Sequence, residues 1–574
     1  NEDYDNDKLP KIADKLKELG NEHVYKRGFT VGISDIDIDK TRKDEIYDKA
    51  KEKVKEIKKT EKDKQKMYVD IHTVMKKAEE DVYKAITEDN PDNAFVVMEQ
   101  SGARGSEANT RQILGGPGIL TDNKGDIVPL PVTKSYSEGI DTADYWTAMY
   151  GARKGMIDRA KTTAEPGAFT KNLINNTLDQ LVTIKDCGTR EGKVMSIYDK
   201  EAKNRFLVES VKHNGKVIAG IGELLNYKVI KELKKLNISQ VKVRTPLKCE
   251  AEEGLCSKCF GSFADGQPPE VGDNIGIISG QALTEPTTQM TMDSFHSGGV
   301  ASNEVEKAQG FERLDELFMM PKKLKGKATL AKKNGVISEV RDTATGTEIY
   351  IGDEKHFVPS ARTVQVKKGD AVKKGDKLCA GIVKPQELLE LKGMDSVREY
   401  LSEELSETYG GRVHRPAIET VVQKITNITK IKDPGDSDFM EGQFAPLNKV
   451  ESINKKESLK IDIDNAQGKE LAENIGGFMS GTVLSPSNID QLKNQNINKV
   501  KIKHQKIDHE VELKGINQLP HYQEDWMAKM NFGNIPRNFA QAASEGAKSK
   551  FKDTTNPIPA FARGIDFGKS EGRY

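Results

Sequence analysis

Three cysteines stand within eleven residues as Cys249-x6-Cys256-x2-Cys259. The C-x2-C pair lies on a tight turn through Ser257 and Lys258, and thiolates so spaced suit a tetrahedral Zn²⁺. Such an ion takes four soft ligands. Cys187, in Asp186-Cys187-Gly188, is the nearby candidate for the fourth, and spacing alone leaves it open. Cys379, in a β-rich stretch, reads as ordinary core. This crowding points to metal rather than disulfides.

A second constellation is Gln289, Met292 and His296, spaced i, i+3 and i+7 in Glu285-Pro286-Thr-Thr-Gln289-Met-Thr-Met292-Asp-Ser-Phe-His296-Ser-Gly298-Gly299. On a helix they put an amide, a flexible apolar wedge and a titratable imidazole on one stripe. Those groups suit the ribose, base and phosphates of a nucleotide. Pro286 starts the segment, and Gly298-Gly299 ends it with a hinge. Pattern alone fits an amphipathic helix with an incidental histidine at least as well.

Two other stretches imitate sites. Asp35, Asp37 and Asp39 alternate with isoleucines like a Mg²⁺ cluster, yet a half-buried strand with Ile36 and Ile38 inward has the same pattern. Val366-Lys-Lys-Gly-Asp-Ala-Val-Lys-Lys-Gly-Asp-Lys-Leu378 resembles half of a biotinyl or lipoyl hairpin. It lacks the modifiable lysine with its usual flanks, so a β-module with tight turns is expected.

These residues need several elements to position them. The chain has 574 residues, 31% of them charged, with a formal net charge of zero, so composition does not advertise a nucleic-acid binder. Lys322, Lys323, Lys325, Lys327, Lys332 and Lys333 form a basic stretch that reads as solvated surface, with phosphate contact as the alternative. No apolar run approaches a bilayer span and Asn1 to Asp7 is no signal peptide, so a cytoplasmic location without a membrane is expected.

The pattern predicts an α+β multidomain chain. Residues 1–90 form a helical N-terminal region, with an extended Gly28–Asp35 and an apolar stripe of Ile71, Val74, Met75, Ala78, Val82 and Ile86. Residues 91–180 hold a Gly-rich loop, then a helix from an Asp141 N-cap to about Leu173, roughly 33 residues or about 50 Å. Pro166-Gly167 should bend or loosen it. Residues 181–270 form the cysteine module, 271–320 the region of Gln289 and His296, and 321–385 a β-rich module. A helical region (386–445), a small β-module (446–525) and a C-terminal helical segment and tail (526–574) follow. Leu236-Asn-Ile-Ser-Gln-Val-Lys-Val-Arg244 resembles Gln495-Asn-Ile-Asn-Lys-Val-Lys-Ile-Lys503, which suggests two related β-modules.

Several of these stretches together resemble one family. Gly276-Ile-Ile-Ser-Gly-Gln281-Ala-Leu-Thr-Glu285-Pro286, with Gln289, Met292, Phe295-His296 and Gly298-Gly299, is similar to the trigger loop of multisubunit DNA-dependent RNA polymerases. Ser135-Tyr-Ser-Glu-Gly-Ile-Asp141 through Gly151-Ala-Arg-Lys-Gly155 to Thr163-Ala164 resembles their bridge helix, and Ser101-Gly-Ala-Arg-Gly-Ser106 the loop before it. Gly28 to Asp35, a jaw-like Val364 to Gly381, Lys392-Gly393 with Val397 and Tyr400-Leu401, and Asp433-Pro-Gly-Asp436-Ser-Asp-Phe439 match in the same order. The likeness fades at 445–525 and is thin over the last fifty residues.

The resemblance implies the C-terminal half of the largest, β′-type subunit, acting in template-directed nucleotidyl transfer. It implies Cys187, Cys249, Cys256 and Cys259 as ligands of a structural Zn²⁺. It places Gln289 at the ribose, Met292 on the incoming base and His296 near the phosphates. Thr163 and Ala164 fall at the template base pair, with Arg153 and Lys154 on the same helix toward nucleic acid. The family's Asn-Ala-Asp-Phe-Asp-Gly-Asp loop, which holds the catalytic Mg²⁺, is absent from the sequence. A partner chain, the N-terminal half of β′, is therefore expected to supply it. The other expected partners are β-like subunits, DNA template, RNA product, nucleoside triphosphates and an initiation factor. Asp293 stands where bacterial enzymes usually have arginine, and Pro166 and Ala168 are unusual in a bridge helix.

Phe311-Glu-Arg-Leu-Asp-Glu-Leu-Phe318 follows without the large insertion of plastid and cyanobacterial split subunits. That favours a giant bacteriophage, hence an infected bacterial cell or the virion as location. The rival readings are a zinc-bearing nucleic-acid-binding protein and a structural paralogue without catalysis.

Overall fold

The computed structural model describes residues 8–62, 64–120, 122, 128–161, 164–263, 266–296, 310–324, 326–343, 345–360, 362–522, 529 and 535–546. The chain divides into two compact units. Asn1–Gly167, Thr287–Arg313 and Lys323–Glu387 make the first; Ala168–Pro286, Leu314–Lys322 and Leu388–Tyr574 make the second. Helices and small sheets alternate throughout, giving a mixed α+β chain. Among the described residues no helix is long and apolar enough to cross a membrane.

The first unit opens with the exposed helix Lys8–Arg27, followed by the pair Thr41–Thr60 and Lys64–Asp89. The pair closes over Tyr47, Ala50 and Val54 on one helix and Ile71, Met75, Ala78 and Val82 on the other, the stripe that periodicity predicts. Beneath it, Glu79 is 1% exposed and accepts Ile119 N–H at 2.8 Å while pairing with Lys76 and Arg111. Gly118 is required here: its φ is +78°, and a Cβ would run into the Glu79 carboxylate.

Two local expectations fail in this unit. Asp35 is not on a strand but ends the 3-10 turn Ile33–Asp35, where its carboxylate accepts the N–H of Gly32 at 2.7 Å and of Ala94 at 3.2 Å. Local side-chain-to-backbone bonds outcompete the extended form. Ile36 and Ile38 still pack inward, with Asp37 and Asp39 exposed. Residues 91–130 also hold two short helices, Ala94–Gln100 and Glu107–Leu114. Asn93 and Ser106 cap them by accepting the N–H of Phe95 and Asn109.

The long helix begins at Thr142. Helix Thr142–Lys161 and helix Ala164–Thr177 flank residues 162–163, which are outside the described residues. Pro166 and Gly167 are themselves helical, but the turn before them, where the proline is expected to bend or loosen the helix, includes residues outside the described ones. The Pro166 ring would oppose the carbonyl of Thr162, so that expectation lies outside the described residues.

The β-rich module is an antiparallel sheet of Gly335–Thr343, Gly346–Ile351 and Glu354–Pro359, with Ala371–Val372 added at the free edge of Gly335–Thr343. Its two Lys-Lys-Gly-Asp turns are copies: Asp370 accepts Lys367 N–H at 2.7 Å and Asp376 accepts Lys373 N–H at 2.8 Å. Cys379 is fully buried in this core.

In the second unit the sequence likeness at 236–244 and 495–503 extends to two whole β-modules. In the first, strands Lys193–Ser196 and Gln240–Val243 pair antiparallel; in the second, Ser458–Asp462 and Lys499–Lys503 do. Each closing strand follows a helix, Tyr227–Lys235 or Pro486–Asn494, that ends on a left-handed asparagine, Asn237 or Asn496, with φ 53° and 57°. The buried residues correspond: Ala202 to Ala466, Leu207 to Leu471, Leu225 to Leu484, Ile230 to Ile489, Leu233 to Leu492, and Val241 to Val500. So do the loop hydrogen bonds. Leu207 N–H reaches Glu223 O at 2.9 Å where Leu471 N–H reaches Thr482 O at 3.0 Å, and Arg244 N–H reaches Phe206 O at 2.7 Å where Lys503 N–H reaches Glu470 O at 2.8 Å. Between Leu207 and Gly222 the first copy has a longer hairpin, Val211–His213 with Lys216–Ala219, where the second has only a tight turn bridging Ile475 and Phe478. The second copy lies between strands Thr429–Asp433 and Asp508–Val511, which pair with each other.

Candidate functional site

Parallel pairing of Val182–Ile184 with Leu255–Cys256 fixes the cysteine cluster, because it brings the Cys187 loop beside the knuckle. The strands approach closely at Gly254, where a Cβ would lie 2.1 Å from Leu181 O. Cys256 then caps the single turn Ser257–Phe260, its sulfur accepting Cys259 N–H, so that Cys259 turns back toward Cys256. The Sγ atoms of Cys187, Cys249, Cys256 and Cys259 all lie within 4.8 Å of one another, with Cys187 to Cys259 at 3.6 Å. A tetrahedral thiolate site with metal–sulfur bonds of about 2.3 Å needs edges of about 3.8 Å, so the donor set fits a metal ion. Cys249, Cys256 and Cys259 are buried and Cys187 is half-buried. Asp186 joins the rim, pairing with Arg244 at 3.0 Å and Lys258 at 2.9 Å.

The helix Ile275–His296 starts against the end of Ala164–Thr177. Asn274 Oδ1 accepts Ile277 N–H at 3.0 Å as N-cap, while its Nδ2 donates to Leu178 O at 2.8 Å. Gly276 lets the two backbones meet: a Cβ there would sit 1.9 Å from Thr177 O. Pro286 lies inside this helix rather than at its start. Farther on, Thr287 and Thr291 are buried while Gln289 is exposed, so Gln289 faces away from the packed side. Met292 and His296 lie within the helix, their side chains outside the described part, as are Gly298 and Gly299.

On Thr142–Lys161, Arg153 is exposed and the Lys154 side chain is outside the described part. Thr163 is outside the described residues; Ala164 is exposed and helical. Trp146, 58% exposed, and Tyr150, 44% exposed, align with Arg153 at i, i+4 and i+7. The spacing of that aromatic–basic stripe is legible in the sequence.

Comparison with known proteins gives this geometry a family. Residues 41–143 match the family model described as RNA polymerase Rpb1, domain 4, and residues 139–351 match RNA polymerase Rpb1, domain 5. Similar proteins include the DNA-directed RNA polymerase subunit beta' of Thermoanaerobacter sp., 32% identical over 479 residues, covering 78% of this chain and 40% of that protein. The subunit of the same name from Streptococcus pyogenes serotype M6 is 33% identical over 474 residues, covering 77% and 39%. That of Malacoplasma penetrans is 32% identical over 500 residues, covering 79% and 39%.

The chain belongs to the β′-type, largest-subunit family of DNA-directed RNA polymerases. It spans about 40% of the length of these β′ relatives. The domain 5 match encloses Arg153, Lys154, Thr163, Ala164, the four clustered cysteines, Gln289, Met292 and His296. The second β-module, at 458–503, lies beyond both matched β′ domains.

Proposed function

We propose that this chain serves as the bridge-helix and trigger-loop part of an RNA polymerase β′ subunit, in template-directed nucleotidyl transfer. The observation that carries the reading is the single domain 5 match, which spans both the 142–177 helices and Ile275–His296. The catalytic Mg²⁺, held by aspartates outside these 574 residues, supplies charge stabilisation for phosphoryl transfer. Gln289 then reaches the ribose, Met292 packs on the incoming base, and His296 approaches the phosphates as a 3′-hydroxyl attacks the α-phosphate and pyrophosphate leaves. Thr163 and Ala164 support the template base pair, and the stripe of Trp146, Tyr150 and Arg153 faces nucleic acid. Folding of the segment after Pro286 excludes water and commits the substrate.

Zinc is the metal proposed for the cysteine cluster, because four thiolates and a closed tetrahedral shell suit a structural Zn²⁺. The required partners are polypeptide bearing the aspartate loop, β-like subunits, DNA and nucleoside triphosphates. Extension of an RNA primer tests the whole reading. It should need this chain, a β-like chain and the aspartate-bearing polypeptide together. Extension by the rigorously purified chain alone would overturn the partition. An assembly that binds DNA without adding nucleotides would favour the structural paralogue.

A further inference from the structure

Every sulfur of the cysteine cluster accepts a hydrogen bond, but the donors are of two kinds. Cys249 Sγ accepts from Cys256 N–H at 3.4 Å, and Cys256 Sγ from Cys259 N–H at 3.3 Å. Cys187 and Cys259 instead meet one guanidinium: Arg244 Nη1 lies 3.7 Å from the first sulfur and 3.8 Å from the second. Its Nη2 is held 3.0 Å from Asp186 Oδ1, and Asp186 is anchored in turn by Lys258. Arg244 is only 6% exposed.

We propose that Arg244 is the outer clamp of the metal centre, bridging the thiolates of Cys187 and Cys259 and slowing loss of the bound ion. This rests on the zinc reading given above. Zinc with four thiolates carries two net negative charges, and a buried cation beside two of the sulfurs offsets one of them. Charge-assisted N–H···S bonds also draw electron density from those sulfurs, which makes them poorer targets for protons and electrophiles. The clamp spans sequence as well as space, joining the Cys187 loop to the Cys256–Cys259 knuckle. A lysine could supply the charge but not the fork that holds sulfur with one nitrogen and carboxylate with the other.

The second β-module provides an internal comparison. Its counterpart of Arg244 is Lys503, at the same end of the same strand with the same backbone hydrogen bond. No cysteine lies in that module. Lys503 is 61% exposed and pairs with Glu470 at the surface. The module's fold therefore does not itself demand a buried guanidinium at this position. Two cysteine sulfurs and the Asp186 carboxylate surround Arg244, where Lys503 meets only solvent and Glu470.

The test uses the full chain, with zinc content of the native protein measured first. Native protein without zinc would defeat the zinc reading itself, whereas the following outcomes bear on Arg244 alone. Arg244→Met keeps volume without donors, and Arg244→Lys keeps charge without the fork. Release to a chromogenic chelator should quicken about 10–100-fold in Arg244→Met and less in Arg244→Lys. In the cobalt-loaded protein, the thiolate-to-cobalt charge-transfer band should shift in Arg244→Met. Lys503→Met should leave both readouts at the native value. A lowered melting temperature with unchanged release and an unmoved band would assign Arg244 a purely structural role and overturn the proposal. If Arg244→Met does not fold, Asp186→Leu, which removes the acceptor that anchors the guanidinium, carries the test: native-rate release would overturn the proposal.

Discussion

Arg205 and Glu419 meet fork to fork, Nη1 2.7 Å from Oε2 and Nη2 3.0 Å from Oε1, with side chains 1% and 0% exposed. Thr245 Oγ1 donates to the same carboxylate at 2.7 Å and Arg415 Nε at 3.2 Å. The pair ties the first β-module to helix Arg415–Ile425. Its counterpart in the second module, Lys469, pairs instead with Asp436.

Glu419→Gln should destabilise the protein strongly at neutral pH, because it leaves Arg205 buried beside an uncharged amide. Breaking such a pair costs about 3–5 kcal/mol. Burial pushes the Glu419 carboxyl up, but the charge of Arg205, with hydrogen bonds from Arg205 and Thr245, holds it below its ordinary 4.5. A carboxyl lowered in the folded state contributes stability above its unfolded pKa and loses it as pH falls through the folded value. The native protein should therefore lose stability below about pH 4.5 more steeply than Glu419→Gln. Melting temperatures of both proteins between pH 6 and 3 check this, and parallel curves would refute it.

One zinc should bind per chain, and Cys256→Ser/Cys259→Ser should abolish it. In the proposed zinc site the ion would hold the knuckle together, so metal loss should open residues around 182–188 and 249–260 to hydrogen exchange while leaving the second β-module protected. Metal analysis with exchange mass spectrometry measures both. Full zinc retention by the double variant would remove the assignment.

His296→Ala should slow nucleotide addition in the reconstituted enzyme. Proton donation to pyrophosphate contributes about 10²–10⁴ in rate, and positioning alone contributes less. His296→Gln separates the two: near-native rates indicate positioning, and rates as slow as alanine indicate acid catalysis. Single-turnover addition at saturating nucleotide is the measurement. A native rate in His296→Ala, with chemistry limiting, would end the catalytic assignment.

Excision of 458–503, with Glu457 joined to His504 through two glycines, should leave a folded, zinc-binding chain. His504 N–H already reaches Glu457 O at 3.2 Å, so the cut ends are neighbours. Strands Thr429–Asp433 and Asp508–Val511 pair outside the excised segment. Loss of zinc or of cooperative melting in the shortened chain would show that the module is not separable.

What the sequence disclosed was local. Periodicity revealed the buried stripe of Lys64–Asp89, and cysteine spacing revealed the knuckle. Lys-Lys-Gly-Asp showed its turns because glycine and aspartate act on their immediate neighbours. The short helices after Asn93 and Ser106 escaped notice because glycines around them outweighed the caps. The repeat was visible only at 236–244 and 495–503, since the preceding helices keep the register but share few residues, and five extra residues in the first copy shift the register before Gly222. Arg205 and Glu419, 214 residues apart, left no local sign at all. The His296 side chain owes its assignment to family resemblance alone.

Pro286 has an energetic consequence for the helix that carries Gln289, Met292 and His296. It has no N–H to offer the Ala282 carbonyl, and an interior proline costs a helix about 3 kcal/mol relative to alanine. In populations this is a factor of about a hundred against the helical form. The segment beyond Pro286 thus sits much nearer to an even balance between coil and helix than an unbroken helix would. A ligand that favours the helical form by a few kcal/mol is enough to tip it, and its departure is enough to reset it.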